Sequence, residues 1–238
     1  MAPPQAEDAL GRGDHEHDQQ HADHQHVEFR GHGHGDHLLH RAQQQRAGGF
    51  IQQRQQPILF DGSEVSRLPA FQRTRRGIAR SFQIPRPFSS MTVLENLVVP
   101  LEFVVHRGSL HQADTRAEAM QILRDIGLGD KADTPSNRLS QVELRKMELA
   151  RAMASRPRML ISDEAMAGLS ANEVSEVLEI LFKLNATGIS VIMIEHIMQA
   201  VMKFSQRVIC LDAGRIICEG TPETVVANPD VQRAYLGA

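Results

Sequence analysis

Two adjacent acids, Asp163 and Glu164, are the residues of this sequence best placed to do chemistry. They directly follow the short apolar run Met159–Ser162, which is typical of a strand buried on both faces of a parallel sheet. The carboxyl ends of such strands open into the crevice where open α/β sheets bind nucleotides. One carboxylate there can hold magnesium, usually through water, while the next orients a water for attack on a phosphate. Two exposed acids that merely begin a helix are an equally good interpretation of this pair alone.

Three other segments carry candidate residues that mean little individually. His196 follows the apolar run 190–194, where a lone histidine is more often structural than catalytic. Gln83 lies in an unremarkable loop, and Ser140 with Glu143 has the spacing of an ordinary helix cap. These residues become informative only through their order along the chain.

The elements around these residues predict an α/β fold. Apolar runs at 58–60, 158–162 and 190–194 indicate strands, and a helix lies between the last two. Ser170 and Glu173 form a capping box at its start, and Gly188 can end it. Strand, helical crossover and strand make the unit of a doubly wound sheet. Residues 207–211 and 215–219 flank a turn and predict a hairpin, after which Thr221 caps a further helix.

Composition restricts the class of protein. The 238 residues are 41% hydrophobic with a net charge of −3, so nothing indicates a nucleic-acid partner. No run of about 18 apolar residues predicts a transmembrane helix, and no secretory signal peptide is recognisable. We therefore expect an intracellular protein whose membrane role, if any, comes through partners. Cys210 and Cys218 match no zinc or redox spacing and are interpreted as strand residues in a reducing compartment.

Residues 1–56 differ from the rest of the chain. They hold nine of the twelve histidines and eleven glutamines, with few large apolar side chains, so we expect this His/Gln-rich segment to be disordered. It is interpreted as non-native sequence joined to a truncated domain, as plain disorder, or as a metal-binding tract. In the last case the imidazoles would come from His15, His17, His21, His24 and His26.

In this order, the segments of residues 57–238 resemble the ATP-binding subunits of ABC transporters. Gln83 falls where that family has its Q-loop glutamine, and Leu139–Glu143 falls at the signature motif. Met159–Glu164 resembles the Walker B strand with its two acids, Ala167–Ser170 the D-loop, and His196 the switch histidine. The resemblance implies a P-loop NTPase-like α/β domain, with a mixed or parallel sheet and a helical subdomain, incomplete at its N-terminus.

The resemblance also implies roles, cofactors and partners. Glu164 would be the catalytic base, His196 the switch residue, and Asp163 with Gln83 the magnesium ligands. Ser140 and Glu143 would contact ATP bound to a second ATP-binding subunit. The chain would act with transmembrane permease subunits as a peripheral protein on the cytoplasmic face of the inner or plasma membrane.

Three segments are similar to the branched-chain amino-acid importers within this family. They are the stretch 78–96, with its Ile84–Phe88 loop, the segment 194–198, and the ending 228–237. The expected function is therefore to energise import of branched-chain amino acids by ATP hydrolysis.

The sequence departs from the family at two places. The glycine-rich phosphate loop (Walker A) contains a lysine and precedes the Q-loop, but the first lysine of this chain is Lys131. Gln141 and Val142 replace the two signature glycines, where side chains should obstruct approach to a phosphate. Whether the chain is an active enzyme is therefore left open. The alternatives are a catalytically inactive transporter-docking protein and a His-rich metal-binding protein.

Overall fold

A mixed six-stranded sheet forms the centre of the molecule. The computed structural model describes residues 25–30, 57–106 and 112–236. Within these ranges the sheet has the order β4-β5-β6-β1-β7-β8, and a separate two-stranded hairpin pairs β2 with β3. The strands are β1 (Gln25–Arg30), β2 (Leu59–Phe60), β3 (Ser63–Glu64), β4 (Ile78–Arg80), β5 (Met159–Asp163), β6 (Ser190–Glu195), β7 (Arg207–Asp212) and β8 (Arg215–Gly220).

Helices connect and cover the strands. A π-helical turn, Leu101–His106, directly follows the second helix. None of the described helices is both long enough and apolar enough to cross a bilayer. The helices are α1 (Ala70–Arg75), α2 (Val93–Pro100), α3 (Gln112–Asp125), α4 (Gln141–Met153), α5 (Ala171–Ala186), α6 (Met198–Phe204), α7 (Pro222–Val226) and α8 (Pro229–Leu236).

Most local predictions are confirmed. Ser170 caps α5 through a complete capping box, and Thr221 caps α7 with Pro222 at its first position. The predicted hairpin is β7–β8, with Ala213 and Gly214 both at positive φ (45° and 75°), the conformation of a two-residue type I′ turn.

The parallel part of the sheet sets the location of the candidate site. Strands β4, β5 and β6 run parallel, with Ile78 beside Met159 and Met159 beside Ser190. Their carboxyl ends therefore meet at one edge of the sheet. The main apolar core contains fully buried Leu160, Val191 and Met193, which share one face of the sheet. On the opposite face Ile161, Ile192 and Ile194 are only half-buried, so the burial expected on both faces from the continuous apolar runs is complete on one face only.

Strand β1 corrects the expectation of disorder for residues 25–30, and the other residues of 1–56 lie outside the described residues. The strand lies between β6 and β7 and pairs antiparallel with both, placing Val27 beside Ile194 and Ile209. The backbone of each of its residues thus faces a neighbouring strand, whereas composition alone indicated a disordered segment. His26 lies in β1, while His15, His17, His21 and His24 lie outside the described residues.

Candidate functional site

The carboxyl ends of β4 and β5 bring the predicted acids beside the predicted Q-loop. The Ser81 N–H donates to the Ile161 carbonyl at 2.9 Å, continuing the parallel ladder past the end of β4. The Ser81 hydroxyl in turn accepts the N–H of Asp163 at 3.3 Å. These two bonds fix the start of the loop against the end of β5.

Asp163 forms an ion pair with Arg80, the last residue of β4. The carboxylate of Asp163 is 16% exposed and the Arg80 side chain is 54% exposed, so the pair lies at the surface of the site. The guanidinium of Arg80 also lies 5.6 Å from the ring centre of Phe82. A cation entering the site would have to share the Asp163 carboxylate with this arginine.

Glu164 is held in an unusual backbone conformation. Its φ is +43°, a left-handed value that costs a residue with a side chain about 1 kcal/mol or more. Its N–H donates to the Ile194 carbonyl of β6 at 2.9 Å. The side-chain amide of Gln83 donates to its Oε2. The structure thus brings together two residues that the sequence separates by 81 positions.

His196 lies just beyond the end of β6 and is exposed. Its carbonyl accepts the hydroxyl of Tyr235, on α8, at 3.0 Å. Among the described residues no hydrogen bond joins its imidazole to Glu164. The structure therefore places His196 on the same edge of the sheet as Asp163 and Glu164, but its side chain does not hydrogen-bond to Glu164 in the described part of the chain.

Ser140 and Glu143 form a capping box at the start of α4. The Ser140 hydroxyl accepts the Glu143 N–H at 3.3 Å, and the Glu143 carboxylate accepts the Ser140 N–H at 2.8 Å. This bond to the Ser140 backbone lowers the pKa of Glu143, and Lys131, 3.4 Å away, lowers it further. Neither side chain contacts Asp163 or Glu164 in the part of the chain described.

The side chain of Gln141 lies against the predicted D-loop of the same chain. Its amide donates to the Ala167 carbonyl at 3.5 Å. Gly168 has φ +77°, and a Cβ at that position would lie 2.9 Å from the Gln141 amide nitrogen. Gln141, at a predicted signature position, therefore packs against Gly168, and a Cβ at residue 168 would displace the end of the Gln141 side chain.

Sequence reasoning missed two buried charged residues at this site. Arg145, on α4, is 7% exposed, and Glu195, the last residue of β6, is 1% exposed. Burial raises the pKa of Glu195 to about 7, and the nearby Glu164 carboxylate raises it too, whereas Met166 and His196 N–H groups and Arg145 lower it. The sequence could have indicated Glu195, because it is a charged residue at the end of a buried apolar strand. No local sequence feature indicated that Arg145 would be buried.

The donor set suits magnesium better than it suits a nucleotide phosphate. Carboxylate and amide oxygens are the ligands magnesium prefers, and it usually takes one or two from protein and the rest from water. Asp163 and Gln83 carry oxygens of these kinds, although no cluster of three or more acidic, histidine or cysteine ligands occurs among the described residues. All four lysines of the chain lie at residue 131 or later, so the charge that a phosphate loop supplies does not come from a lysine before Gln83.

Comparison with known proteins identifies the origin of this arrangement. The sequence pattern of the family described as "ABC transporter" matches residues 47–167. The pattern described as "Branched-chain amino acid ATP-binding cassette transporter" matches residues 215–238.

Curated relatives match over most of the chain. The branched-chain amino-acid transport ATP-binding proteins BraF of Pseudomonas aeruginosa and LivG of Escherichia coli K12 are 33% and 35% identical over 201 residues, with 79% of each chain covered. The lipopolysaccharide export ATP-binding protein LptB of Haemophilus influenzae is 33% identical over 189 residues, covering 79% of this chain and 77% of its own.

Solved structures agree with the sequence relatives. A crystal structure of MJ1267, an ATP-binding cassette of an ABC transporter, superposes with a TM-score of 0.66 at 26% identity, covering 75% of this chain and 76% of its own. The dimeric ATP-binding cassette MJ0796, bound to ADP and phosphate, gives 0.63 at 25% identity, covering 70% and 73%. The order of the site residues, the fold and the matched relatives agree, and the chain belongs to the family of ABC transporter ATP-binding proteins.

Proposed function

We propose that this chain is the ATP-binding subunit of an ABC importer for branched-chain amino acids. The observation that carries the proposal is the contact between the Gln83 amide and the Glu164 carboxylate, with Asp163 one residue away. It places a polar, adjustable side chain and two carboxylates at the carboxyl edge of a parallel sheet, the edge at which such sheets bind nucleotides. Relatives named as ATP-binding transport proteins support the same assignment.

The proposed roles follow from the positions of the side chains. Glu164, held by Gln83 and by its strained backbone, would accept a proton from the attacking water. Asp163 and Gln83 would hold magnesium, which neutralises charge on the phosphates when it is bound. His196, exposed on the same edge, would approach the site as a switch residue. Ser140 and Glu143 would face ATP held by a second ATP-binding subunit, and the similar MJ0796 cassette is described as dimeric.

The class of transported substrate is the more specific part of the proposal. BraF, a branched-chain amino-acid transport protein, and LptB, a lipopolysaccharide export protein, have the same 33% identity to this chain. Overall similarity therefore does not separate the import and export branches. The match of residues 215–238 to the branched-chain pattern favours import of branched-chain amino acids.

The loop after Gln83 has the composition of a docking surface for permease subunits on the cytoplasmic face of the membrane. Ile84 is 69% exposed and Phe88 is 42% exposed. Phe88 is nevertheless anchored, because Asn96 bonds its N–H and its carbonyl at 2.9 and 3.2 Å. The Arg151 guanidinium lies 5.0 Å from the Phe88 ring centre. An exposed apolar side chain on a fixed backbone suits a protein interface, because the loop loses little conformational entropy when a partner binds.

A nucleotide-independent docking protein is the second candidate. The absence of any lysine before residue 131 favours it, because a phosphate-loop lysine supplies a charge-assisted contact worth roughly 1.5–3 kcal/mol. In that case the docking surface would be retained while ATP chemistry is lost.

Co-purification with membrane subunits, run beside an ATP-binding titration, tests both candidates. We expect recovery with branched-chain amino-acid permease subunits, a drop of about tenfold for Phe88→Ala, which corresponds to about 1.4 kcal/mol, and a similar drop for Arg86→Glu. Phe71→Ala removes a phenylalanine that is 55% exposed on α1 and is the matched control. Magnesium-dependent ATP binding lost in Asp163→Asn would support the ATP-binding subunit, and docking without ATP binding would support the second candidate. Recovery only with lipopolysaccharide-export membrane subunits would overturn the cargo assignment.

A further inference from the structure

Arg145 lies between the two loops that flank the candidate base. It occupies the fifth position of α4 and is 7% exposed. Its Nη1 donates to the Gln83 carbonyl and, at 3.4 Å, to the Phe82 carbonyl. Its Nη2 donates to the Ala167 carbonyl at 3.5 Å. One planar guanidinium thus contacts the loop after β4 and the loop after β5 together.

These contacts close a ring around Glu164. The Gln83 amide donates to the Glu164 carboxylate, and the Gln83 carbonyl accepts from Arg145. Arg145 then donates to the Ala167 carbonyl, and the Ala167 N–H donates to the Glu164 carbonyl at 3.3 Å. Removing Arg145 breaks the ring between Gln83 and Ala167, but it removes neither of the two groups that bond Glu164 directly.

Stability by itself does not explain why this cation is buried. A buried ion costs several kcal/mol to desolvate, and an apolar side chain of similar volume is often as stable or more so. Within the described ranges the Nε of Arg145 is buried and has no hydrogen-bond partner, so these residues do not satisfy the guanidinium fully. Its two terminal nitrogens, in contrast, are both directed at loop carbonyls. Lysine lacks this rigid fork and bonds as a point charge.

We infer that Arg145 is a positioning residue that clamps the Gln83 loop to the Ala167 loop and so fixes the carboxylate of Glu164. The consequence for catalysis rests on the proposed role of Glu164 as base, whereas the clamp itself does not. Without Arg145 the two loops should open together, because each loses a hydrogen-bond donor at the same time. The rest of the sheet should be unaffected.

Hydrogen–deuterium exchange of the full chain tests the clamp without any nucleotide. The reporting amides are those of Ser81, Glu164, Ala167 and Leu169, each hydrogen-bonded in the structure. In Arg145→Met we expect exchange at least tenfold faster in segments 81–84 and 164–169, with β6 unchanged. Lys146→Met is the matched control, because Lys146 bonds Glu176 of α5 at 2.5 Å and, among the described residues, forms no hydrogen bond to either loop.

Two further variants keep the test decisive if Arg145→Met does not fold. Arg145→Lys should protect segment 81–84 partly and leave segment 164–169 open, since one ammonium does not bridge both carbonyls. Gln83→Ala keeps Arg145 and should leave Ala167 protected as in the wild type. The inference would be overturned if both loops of Arg145→Lys exchanged at the wild-type rate. It would also be overturned if the Ala167 amide exchanged as fast in Gln83→Ala as in the arginine variants.

Failure of the proposed function gives a different result. Absence of ATP binding by the wild-type chain, with loop-selective exchange still present in Arg145→Met, would reject the ATP-binding role and leave the clamp standing. Intact ATP binding with uniform exchange changes across the sheet would reject the clamp alone.

Discussion

Glu195 should make the stability of this protein depend on pH between about 4.5 and 7. The side chain is 1% exposed, and burial raises its pKa from 4.5 to about 7. Below pH 4.5 the carboxyl is protonated in the folded and the unfolded chain. As pH rises from 4.5 to 7 the unfolded chain releases the proton first, so the free energy of unfolding falls. A difference of about 2.5 pKa units corresponds to a loss of about 3 kcal/mol, complete above pH 7.

Glu195→Gln removes the titration and keeps the hydrogen bond. The Oε1 of Glu195 accepts the Met166 N–H at 3.0 Å, and an amide oxygen can do the same. The Oε2 has no hydrogen-bond partner in the part of the chain that the structure describes, so an amide nitrogen there would also be unpaired, at a cost of about 1 kcal/mol. We therefore expect the variant to be more stable than the wild type at pH 8 by about 2 kcal/mol, and slightly less stable at pH 4.5.

Urea unfolding followed by far-ultraviolet circular dichroism, at intervals from pH 4.5 to 8.5, measures this difference. Other titrating groups contribute to both chains and cancel when the two free energies are subtracted. Glu179→Gln, on the exposed face of α5, is the control and should run parallel to the wild type. A difference between wild type and Glu195→Gln that stays constant across the range would refute the reasoning.

In phosphate-release assays with ATP and magnesium, we expect turnover by the wild-type chain well below about one per second, because no lysine precedes residue 131. Turnover near that rate that vanishes in Glu164→Gln would contradict this. Val27→Pro should lower the free energy of unfolding by about 3 kcal/mol, since it removes a ladder N–H from central β1. Val27→Thr keeps that N–H, and equal stability of the two variants in urea would argue against β1. Ser140→Ala should cost about 1 kcal/mol by loss of the α4 cap, with Ser140→Thr near wild type; an unchanged alanine midpoint would contradict the cap.

Local elements were largely predictable because their determinants lie within a few residues of one another. The capping box of α5 needs only Ser170 and Glu173, and the β7–β8 turn needs only Ala213 and Gly214. The same holds for the placement of Asp163 and Glu164 at a strand end, which follows from the apolar run before them. The roles of Ser140, His196 and the other site residues remain predictions.

Composition misled the prediction for β1. Residues 25–30 lie in a polar segment with little apolar surface, and such segments do not fold by themselves. In the structure the strand lies between β6 and β7, where two neighbours supply hydrogen bonds to its backbone. This stabilisation comes from strands more than 150 positions later in the sequence.

The sequence by itself determined strands β2, β5, β6, β7 and β8, helices α5 and α7 with their caps, the β7–β8 turn, and the two acids at the end of β5. Tertiary structure alone decided that Gln83 reaches Glu164 and that Cys210 lies opposite Cys218 across a hairpin. It also decided that Arg145 and Glu195 are buried. The physical reason is that caps and turns depend on near neighbours, whereas burial and long-range contacts depend on strand register and helix packing. Those are properties of the whole chain.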